Sequence, residues 1–257
     1  MNKNNVDFWR VVAASVTGTS HEKTGKLCQD AHAWKILPGG VLVTAVADGA
    51  GSAAMAEVGA DIAVGAAVEA IENSLSSQLF PQNDIEWKSL ITNALISTRT
   101  AVEIEATIQK VMVRDLASTL ILLVATPELV AVVQVGDGAA VVADRGEVIA
   151  LTLPSAGEYI NETTFVISPD AVEKAQVIVW HGRAAQVGIL TDGLQMLALK
   201  MPEGTPHKPF FSPLFSFVAE VTDETAGKQE LVEFLNSPRV KQRTDDDLTI
   251  LLATLME

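Results

Sequence analysis

Three aspartates stand at the ends of apolar runs. Asp48 and Asp192 each follow such a run, and Asp246 comes just before another. Runs of this kind predict buried strands, so their ends are fixed points on a rigid frame. Ionised carboxylates that are brought close together repel one another unless a cation lies between them. The three positions therefore predict a metal site at the rim of a sheet.

The direction of the strands decides whether the three carboxylates meet. Asp48 and Asp192 lie at the C-terminal ends of their strands, whereas Asp246 lies at an N-terminal end. All three share one edge only if the last strand runs antiparallel to the other two. We therefore expect an antiparallel or mixed sheet.

The residue types suit a hard divalent cation. Mg²⁺ and Mn²⁺ take oxygen ligands and leave several positions to water, so three carboxylates and a backbone carbonyl would suit two ions. Gly49 follows Asp48, and Gly193 follows Asp192. A glycine has no side chain that would keep its carbonyl away from a cation, so both Asp-Gly pairs fit such a site. Two ordinary Asp-Gly turns are the alternative.

Length and composition indicate a globular protein. The chain has 257 residues, of which 48% are hydrophobic and 19% charged, enough to bury a large core. We expect a single domain over residues 1–257. No apolar run approaches the roughly 18 residues of a membrane span, and the first residues contain no secretory signal. The one cysteine, Cys28, permits no intrachain disulfide and favours a cytoplasmic protein.

The charge balance bears on partners. The formal net charge is -14, from 32 acidic and 18 basic residues. A field of this sign disfavours nucleic acid and anionic membranes as partners. It would also repel a phosphorylated substrate at long range, but cations at the sheet edge would reverse the sign locally.

Hydrophobic patterning predicts the elements that position these residues. The first half is expected to contain strands over 9–17, 31–36 and 41–47 and helices over 53–73 and 84–109. Ser52 would cap the first helix, which would begin within four residues of Asp48. The apolar stripe of the second helix would consist of Ile85, Leu90, Ile91, Leu95, Val102 and Ile108.

The second half is expected to be rich in hairpins. A meander would run through 118–125, 129–135, 139–143 and 148–151, and a further hairpin would join 177–180 to 186–191. We expect 154–170 to be a loop or small flap, 201–213 to be an irregular connection, and 224–236 to be the last helix before the final strand. This order predicts an α+β fold, a four-layer α/β/β/α sandwich in which two mainly antiparallel sheets are flanked by helix pairs.

Other motifs fit less well. The segment from Gly18 to Lys26 resembles a phosphate loop but has six intervening residues where four are required. Residues 136–138 lead into a strand rather than the helix of a dinucleotide site. A calcium loop at 245–247 fails because the next ligand positions are apolar. Cys28 is interpreted as a buried small thiol rather than a nucleophile.

The chain resembles a known family at several of these places. Its motifs follow the order and approximate spacing of metal-dependent protein phosphatases of the PP2C type (the PPM family), and they are most similar to those of compact bacterial members. The motifs are Cys28–Ala31, Val46–Gly49, Ala117–Thr119, Val135–Gly138, Leu190–Leu194 and Asp246–Leu251. Each motif is short, so the resemblance depends on their order over residues 9–255.

The resemblance implies a binuclear centre. In such enzymes a water activated between two Mg²⁺ or Mn²⁺ ions hydrolyses phosphoserine and phosphothreonine, without a phosphoenzyme. Asp48 would bridge the two ions and the carbonyl of Gly49 would bind one of them. Asp192 and Asp246 would complete the other. Asp30 would hold a water of the centre or bind metal directly.

The phosphate side departs from the family pattern. Family members often present an arginine to the phosphate shortly before the first acidic motif, but residues 23–27 contain none. Lys26 or His21 would take its place, although a lysine lacks the bidentate fork of an arginine. Ala50 stands where some members have a histidine that protonates the leaving group. His21, a water or no acid at all would then serve.

A third ion is disfavoured. Members that bind one use an acidic residue four places after the Asp192 equivalent, and this chain has Met196 there. Asp137 could still contact such an ion.

The leading hypothesis is a metal-dependent serine/threonine protein phosphatase. It would act as a monomer on a phosphorylated protein substrate, paired with a serine/threonine kinase. One alternative is a catalytically weak scaffold that binds metal and a phosphoprotein or partner domain. The other is an enzyme that keeps the metals but hydrolyses a small phosphate metabolite.

Overall fold

The apolar runs form two five-stranded sheets, in a computed structural model that describes residues 8–77, 80–154 and 163–256. The strands are β1 (Phe8–Val16), β2 (Asp30–Leu37), β3 (Val41–Asp48), β4 (Leu120–Thr126), β5 (Leu129–Val135), β6 (Ala139–Asp144), β7 (Glu147–Thr152), β8 (Gln176–His181), β9 (Gln186–Leu190), β10 (Leu199–Lys200), β11 (Thr205–Pro206) and β12 (Leu248–Met256). The helices are α1 (Thr19–Thr24), α2 (Ala56–Ser77), α3 (Asp84–Gln109), α4 (Ala171–Lys174), α5 (Gln195–Ala198), α6 (Lys208–Glu220), α7 (Glu224–Leu235) and α8 (Pro238–Lys241). Short 3₁₀ helices cover Val113–Leu116 and Asp192–Leu194.

All neighbouring strands in the two large sheets are antiparallel. The first sheet has the order β1-β12-β9-β6-β7 and the second the order β2-β3-β4-β5-β8. β1 pairs with β12 along its full length of nine residues. β12 is therefore an interior strand, held on both edges.

Helices cover the outer face of each sheet. Ile71 of α2 and Ile91 of α3 are fully buried in the core against the second sheet. Phe215 of α6 and Leu231 of α7 are buried against the first sheet. A third core lies between the sheets, where residues such as Leu123 are fully buried. The expected α/β/β/α layering is confirmed.

The strands predicted as one continuous meander belong to two sheets. β4 and β5 form a hairpin in the second sheet and β6 and β7 a hairpin in the first. The turn 136–138 carries the chain from one sheet to the other. The predicted hairpin of 177–180 with 186–191 is wrong, because β8 pairs with β5 and β9 pairs with β12 and β6.

The three strand-end aspartates likewise do not share one sheet. Asp48 ends β3 in the second sheet, whereas Asp192 follows β9 and Asp246 precedes β12 in the first. The expected antiparallel relation of the last strand is confirmed for β9 and β12. The carboxylates meet where the edges of two packed sheets come together.

The first long helix begins at Ala56, later than expected, and Ser52 does not cap it. The preceding segment makes backbone hydrogen bonds elsewhere: the N–H of Ala50 donates to the carbonyl of Ala117, and that of Met55 donates to the carbonyl of Asp115. These bonds anchor the segment to the chain before β4 and delay the helix.

The second long helix has the predicted bounds but not the whole predicted stripe. Ile85 and Ile108 are 80% and 65% exposed, whereas the other four residues of the stripe are buried. The two exposed residues lie in the first and last turns of the helix, so the buried stripe ends before the helix does.

The segment 201–213 is not wholly irregular, because α6 begins at Lys208. The prolines of this segment were the reason that an irregular connection was predicted. Pro209 lies in the first turn, where a missing N–H costs nothing. Pro213 lies inside the helix, and the burial of Phe211, Leu214 and Phe215 on the first sheet outweighs its cost.

Residues 155–162 of the predicted loop over 154–170 lie outside the described residues, which resume at Thr163 and form turns before α4. Among the described helices, none is both long and apolar enough to cross a bilayer.

Candidate metal centre

Two aspartates oppose each other at the end of the second sheet. β2 and β3 pair in a register that places Asp30 directly opposite Asp48. Directly opposed residues project from the same face, and this face is turned toward the first sheet. The side chain of Asp30 is 8% exposed and accepts a 2.7 Å hydrogen bond from the hydroxyl of Thr191. Asp30 is thus tied to the residue that precedes Asp192.

Asp48, Asp137 and Asp192 form the tightest acidic group among the described residues. Each offers a carboxylate oxygen, and the three oxygens lie within 4.8 Å of one another. Asp137 takes part because it sits in the turn by which the chain crosses between the sheets. Gln134 pins this turn, since its side-chain amide donates to the carbonyls of Gly136 and Gly138.

A cleft of about 210 Å³ opens over this group. Its lining residues are His21, Gln29, Asp48, Gly49, Ala50, Gly51, Asp137, Thr163, Phe165, Asp192 and Asp246. Asp246 is exposed and stands at the edge of the cleft, outside the tight group. Lys26 is exposed and does not line the cleft.

Burial and mutual repulsion raise the pKa of the clustered carboxyls. Burial raises the pKa of Asp48, and the charges of Asp30 and Asp192 raise it further. Burial also raises the pKa of Asp192, and Asp137 adds to the effect. Ionising this cluster near neutral pH therefore requires compensating positive charge.

The backbone around Asp48 is held from two sides. Its N–H donates to the hydroxyl of Thr119, and its carbonyl accepts from the N–H of Thr119. A Cβ at Gly49 would lie 2.6 Å from the carbonyl oxygen of Ala56 and 2.7 Å from that of Gln29. Close approach of other backbone segments therefore requires a glycine here, a reason different from the one expected from the sequence.

Gly193 is required for a similar reason. A Cβ there would lie 2.0 Å from the carbonyl oxygen of Asp247. The glycine thus allows the turn after β9 to pack against the start of β12, which brings Asp192 and Asp246 to the same cleft.

Asp247 is a buried acceptor for several groups next to the cleft. Its carboxylate is 2% exposed and accepts hydrogen bonds from the N–H of Gly18 and the N–H of Gln29, both at 2.6 Å. It also lies 2.9 Å from Nδ1 of His21. This role was not predicted, because nothing in the triplet 245–247 distinguishes the buried acid from its neighbours.

Gln29 was also missed as a site residue. Its side chain is 6% exposed and lines the cleft, and its Oε1 atom is buried without a hydrogen-bond partner among the described residues. A buried polar atom without a partner is costly. A water or ion in the cleft would supply that partner.

The donor set fits divalent cations. The cleft combines several carboxylates with an unsatisfied amide oxygen, all hard oxygen donors of the kind that Mg²⁺ and Mn²⁺ prefer. Cys28, the nearby thiol, is unsuited to nucleophilic chemistry, because burial raises its pKa above the usual range and the charge of Asp30 raises it further.

Comparison with known proteins agrees with this fold. Residues 17–236 match the family model described as Protein phosphatase 2C. Serine/threonine-protein phosphatase 3 of Escherichia coli (strain K12) is 40% identical over 256 residues, which cover 97% of this chain and 99% of that protein. The structure of the phosphatase Stp1 from Staphylococcus aureus superposes with a TM-score of 0.64 at 11% identity and covers 100% of both chains.

A second solved structure is that of the catalytic domain of the phosphatase PstP in complex with two manganese ions. It superposes with a TM-score of 0.60 at 14% identity, over 98% of this chain and 100% of that one. At this identity the likeness concerns the fold. The family match covers most of the sequence, and we conclude that this chain belongs to the protein phosphatase 2C family.

Proposed function

We propose that this protein hydrolyses phosphoserine and phosphothreonine in proteins at the cleft above Asp48, with Mg²⁺ or Mn²⁺ as cofactor. One observation carries the proposal: carboxylate oxygens of Asp48, Asp137 and Asp192 lie within 4.8 Å of one another at the meeting edge of two sheets. The name of the Escherichia coli relative, a serine/threonine-protein phosphatase, supports the substrate class.

Two ions would be held by residues from both sheets. Asp48 and the carbonyl of Gly49 would help to hold them. Asp192, Asp137 and Asp246 would provide the remaining carboxylates. Bound ions of this kind supply a water of lowered pKa and neutralise charge on a phosphoryl group. The two manganese ions of PstP support this number, and we propose no third ion.

Gln29 and Asp30 would orient water in the cleft. The unpaired Oε1 of Gln29 is an acceptor, and Asp30 is fixed by its hydrogen bond with Thr191. Both side chains are buried, so their orientation is set before a substrate arrives.

His21 would protonate the leaving alkoxide. It lines the cleft, and Asp247 holds its Nδ1, which leaves Nε2 as the atom that could face a substrate. A carboxylate that orients an imidazole in this way fixes the tautomer with the proton on Nδ1 and stabilises the protonated ring. Lys26, which does not line the cleft, would act on phosphate only at long range.

Several broader properties belong to the same proposal. The chain would form one domain over residues 1–257 and act as a monomer in the cytoplasm, opposite a serine/threonine kinase. The net charge of -14 supports a protein partner over nucleic acid or an anionic membrane.

Hydrolysis of p-nitrophenyl phosphate and of a phosphothreonine peptide, with Mn²⁺ and with EDTA, tests the function. We expect turnover of both substrates that EDTA and Asp48→Asn abolish. Metal-independent turnover, or full activity of Asp48→Asn, would disprove the mechanism. Tight metal binding in calorimetry without turnover of any phosphopeptide would instead identify a scaffold, and activity on small phosphate metabolites alone would identify a metabolite phosphatase.

A further inference from the structure

An apolar groove of about 380 Å³ lies beside the acidic cleft, between α5, α6, α7 and α8. Leu197, Phe210, Leu214, Phe234 and Val240 are among its apolar lining residues, and Arg239 and Arg243 also line it. We call this feature the arginine groove. Nothing in the mechanism proposed above uses it.

The two arginines are available to a ligand. Both are exposed, and neither makes an ion pair or a side-chain hydrogen bond with another described residue. Lys241, between them in sequence, is engaged: its Nζ atom lies 2.5 Å from Oε1 of Glu22 on α1. In a chain with a net charge of -14, two unpaired arginines beside an apolar groove favour an acidic and apolar partner.

Two short pieces of chain connect the groove to the cleft. Asp192 lines the cleft, and Met196, about one helical turn further on, lines the groove. Arg243 lines the groove, and Asp246 lines the cleft three residues later, a path of at most about 10 Å. The two sites are therefore neighbours.

The connection is also rigid. Gln195 of α5 donates a side-chain hydrogen bond to the carbonyl of Asp137, and the ion pair of Lys241 with Glu22 ties α8 to the helix that carries His21. Met196 is 69% exposed between the two sites, so an extended peptide could pass over it from one to the other.

We propose that the arginine groove binds a segment of the phosphoprotein substrate, namely an apolar side chain flanked by acidic residues. An extended peptide rises about 3.3 Å per residue, so this anchor would lie about three or four residues from the phosphorylated one. The assignment rests on the proposed function, because it makes the groove a specificity site for the same reaction.

Matched phosphothreonine peptides test the proposal. One series carries Leu-Phe flanked by glutamates about three residues before or after the phosphothreonine, and the other carries serines and lysines there. With Mn²⁺ we expect kcat/KM to favour one anchored peptide about tenfold or more, with a preference that weakens as salt is added. The double variant Arg239→Glu/Arg243→Glu should lose the preference while its turnover of p-nitrophenyl phosphate stays unchanged.

The control is a charge reversal of equal size at two residues outside the groove. Lys88 of α3 and Arg114 are exposed and do not line the groove, so Lys88→Glu/Arg114→Glu should keep the preference. If both double variants lose the preference equally, the preference comes from general charge attraction. If both keep it, the groove does not contribute to it. Either result would overturn the groove as the site.

Direct binding separates this proposal from the function. A fluorescein-labelled, unphosphorylated Leu-Phe-glutamate peptide should bind the wild-type protein and bind the Arg239→Glu/Arg243→Glu variant about tenfold more weakly. Binding without turnover of any phosphate ester would disprove the function but keep the groove. Turnover of p-nitrophenyl phosphate without anchor preference or peptide binding would disprove the groove alone. Self-association in sedimentation that the variant abolishes, without peptide binding, would assign the groove to a second copy and overturn the proposal.

Discussion

The hydroxyl of Thr191 donates a 2.7 Å hydrogen bond to Oδ2 of Asp30 and so joins the two sheets beneath the acidic cleft. The hydroxyl oxygen of Thr191 in turn accepts a hydrogen bond from the N–H of Thr249 on β12. One side chain thereby fixes the relative position of three chain segments. Asp30, on β2, is thereby held in one orientation.

Thr191→Val should weaken both the fold and the metal centre. The variant leaves the N–H of Thr249 and the carboxylate of Asp30 without this partner, which should lower the free energy of unfolding by about 1–3 kcal/mol. Loss of an orienting partner should also weaken metal binding about ten- to a hundredfold. Chemical denaturation and Mn²⁺ calorimetry measure the two effects. Thr191→Ser keeps the hydroxyl and is expected to behave nearly as wild type.

The metal-free protein should lose stability as the pH rises. Burial raises the folded-state pKa of Asp48 above its unfolded value. The stability linked to its proton is therefore fully present below about pH 4 and is lost as the pH rises through the folded pKa. In EDTA, the melting temperature should be higher at about pH 5.5 than at about pH 8, and added Mn²⁺ should stabilise most at the higher pH.

Asp48→Asn tests whether the charge of this carboxylate causes the loss of stability at high pH. The amide carries no charge, so in EDTA at about pH 8 the variant should melt above wild type, and Mn²⁺ should stabilise it much less. Asp61→Asn, at an exposed position on α2, is the control and should change neither result. A variant that melts below wild type under these conditions would contradict the charge argument.

His32 should destabilise the fold in acid. Burial lowers its pKa to about 4, and the charge of Lys228 contributes; its Nδ1 lies 2.8 Å from the hydroxyl oxygen of Ser15. The unfolded chain takes up the proton first, so stability present above about pH 6.5 is lost as the pH falls toward 4, by about 3 kcal/mol. Urea denaturation at about pH 6.5 and at about pH 4 measures this loss. Between these two pH values, the free energy of unfolding should fall more for wild type than for His32→Gln. His181→Gln, at an exposed site, should show no such difference.

His21→Gln should separate two kinds of substrate. An alkoxide is a poor leaving group that needs a proton, so kcat on a phosphothreonine peptide should fall about a hundredfold. Turnover of p-nitrophenyl phosphate, whose phenolate leaves without help, should change little. Asp247→Asn should show the same selectivity, because it disturbs the orientation of His21. Equal losses on both substrates would indicate damage to the metal centre instead.

Gly49 and Gly51 form a matched pair for the crowding argument. A Cβ at Gly49 meets two backbone carbonyls below 3.0 Å, whereas one at Gly51 meets nothing within 4 Å. Gly49→Ala should therefore cost about 1–3 kcal/mol of stability and weaken Mn²⁺ binding, since Asp48 must shift. Gly51→Ala should leave both unchanged, as measured by thermal denaturation with and without Mn²⁺.

Local patterns predicted the strand ends well. Asp48 and Asp192 follow apolar runs that are too short for helices, and the structure places both at strand ends. The helix over 84–109 was predicted to the residue. These features depend on chain segments that carry their own signal.

Pairing between distant segments could not be read in the same way. The short connection between β8 and β9 looks like a hairpin, and only packing shows that the strands enter different sheets. The buried Asp247 and Gln29 carry no sequence signal, because their roles arise from backbone N–H groups and a cleft that other segments create. Asp137 was assigned to a doubtful third ion, since its closeness to Asp48 depends on the crossing between sheets.

β12 occupies an interior place in the first sheet, so the acidic cleft should form only after this strand has been synthesised. β1 and β9 both pair with β12. Neither strand has this partner until the ribosome has added Asp246 and the strand that follows it. Until then, the first sheet is incomplete and cannot hold its acidic residues next to those of the second sheet. An incomplete chain should therefore be inactive, and the enzyme should act on phosphoproteins only after β12 has paired with β1 and β9.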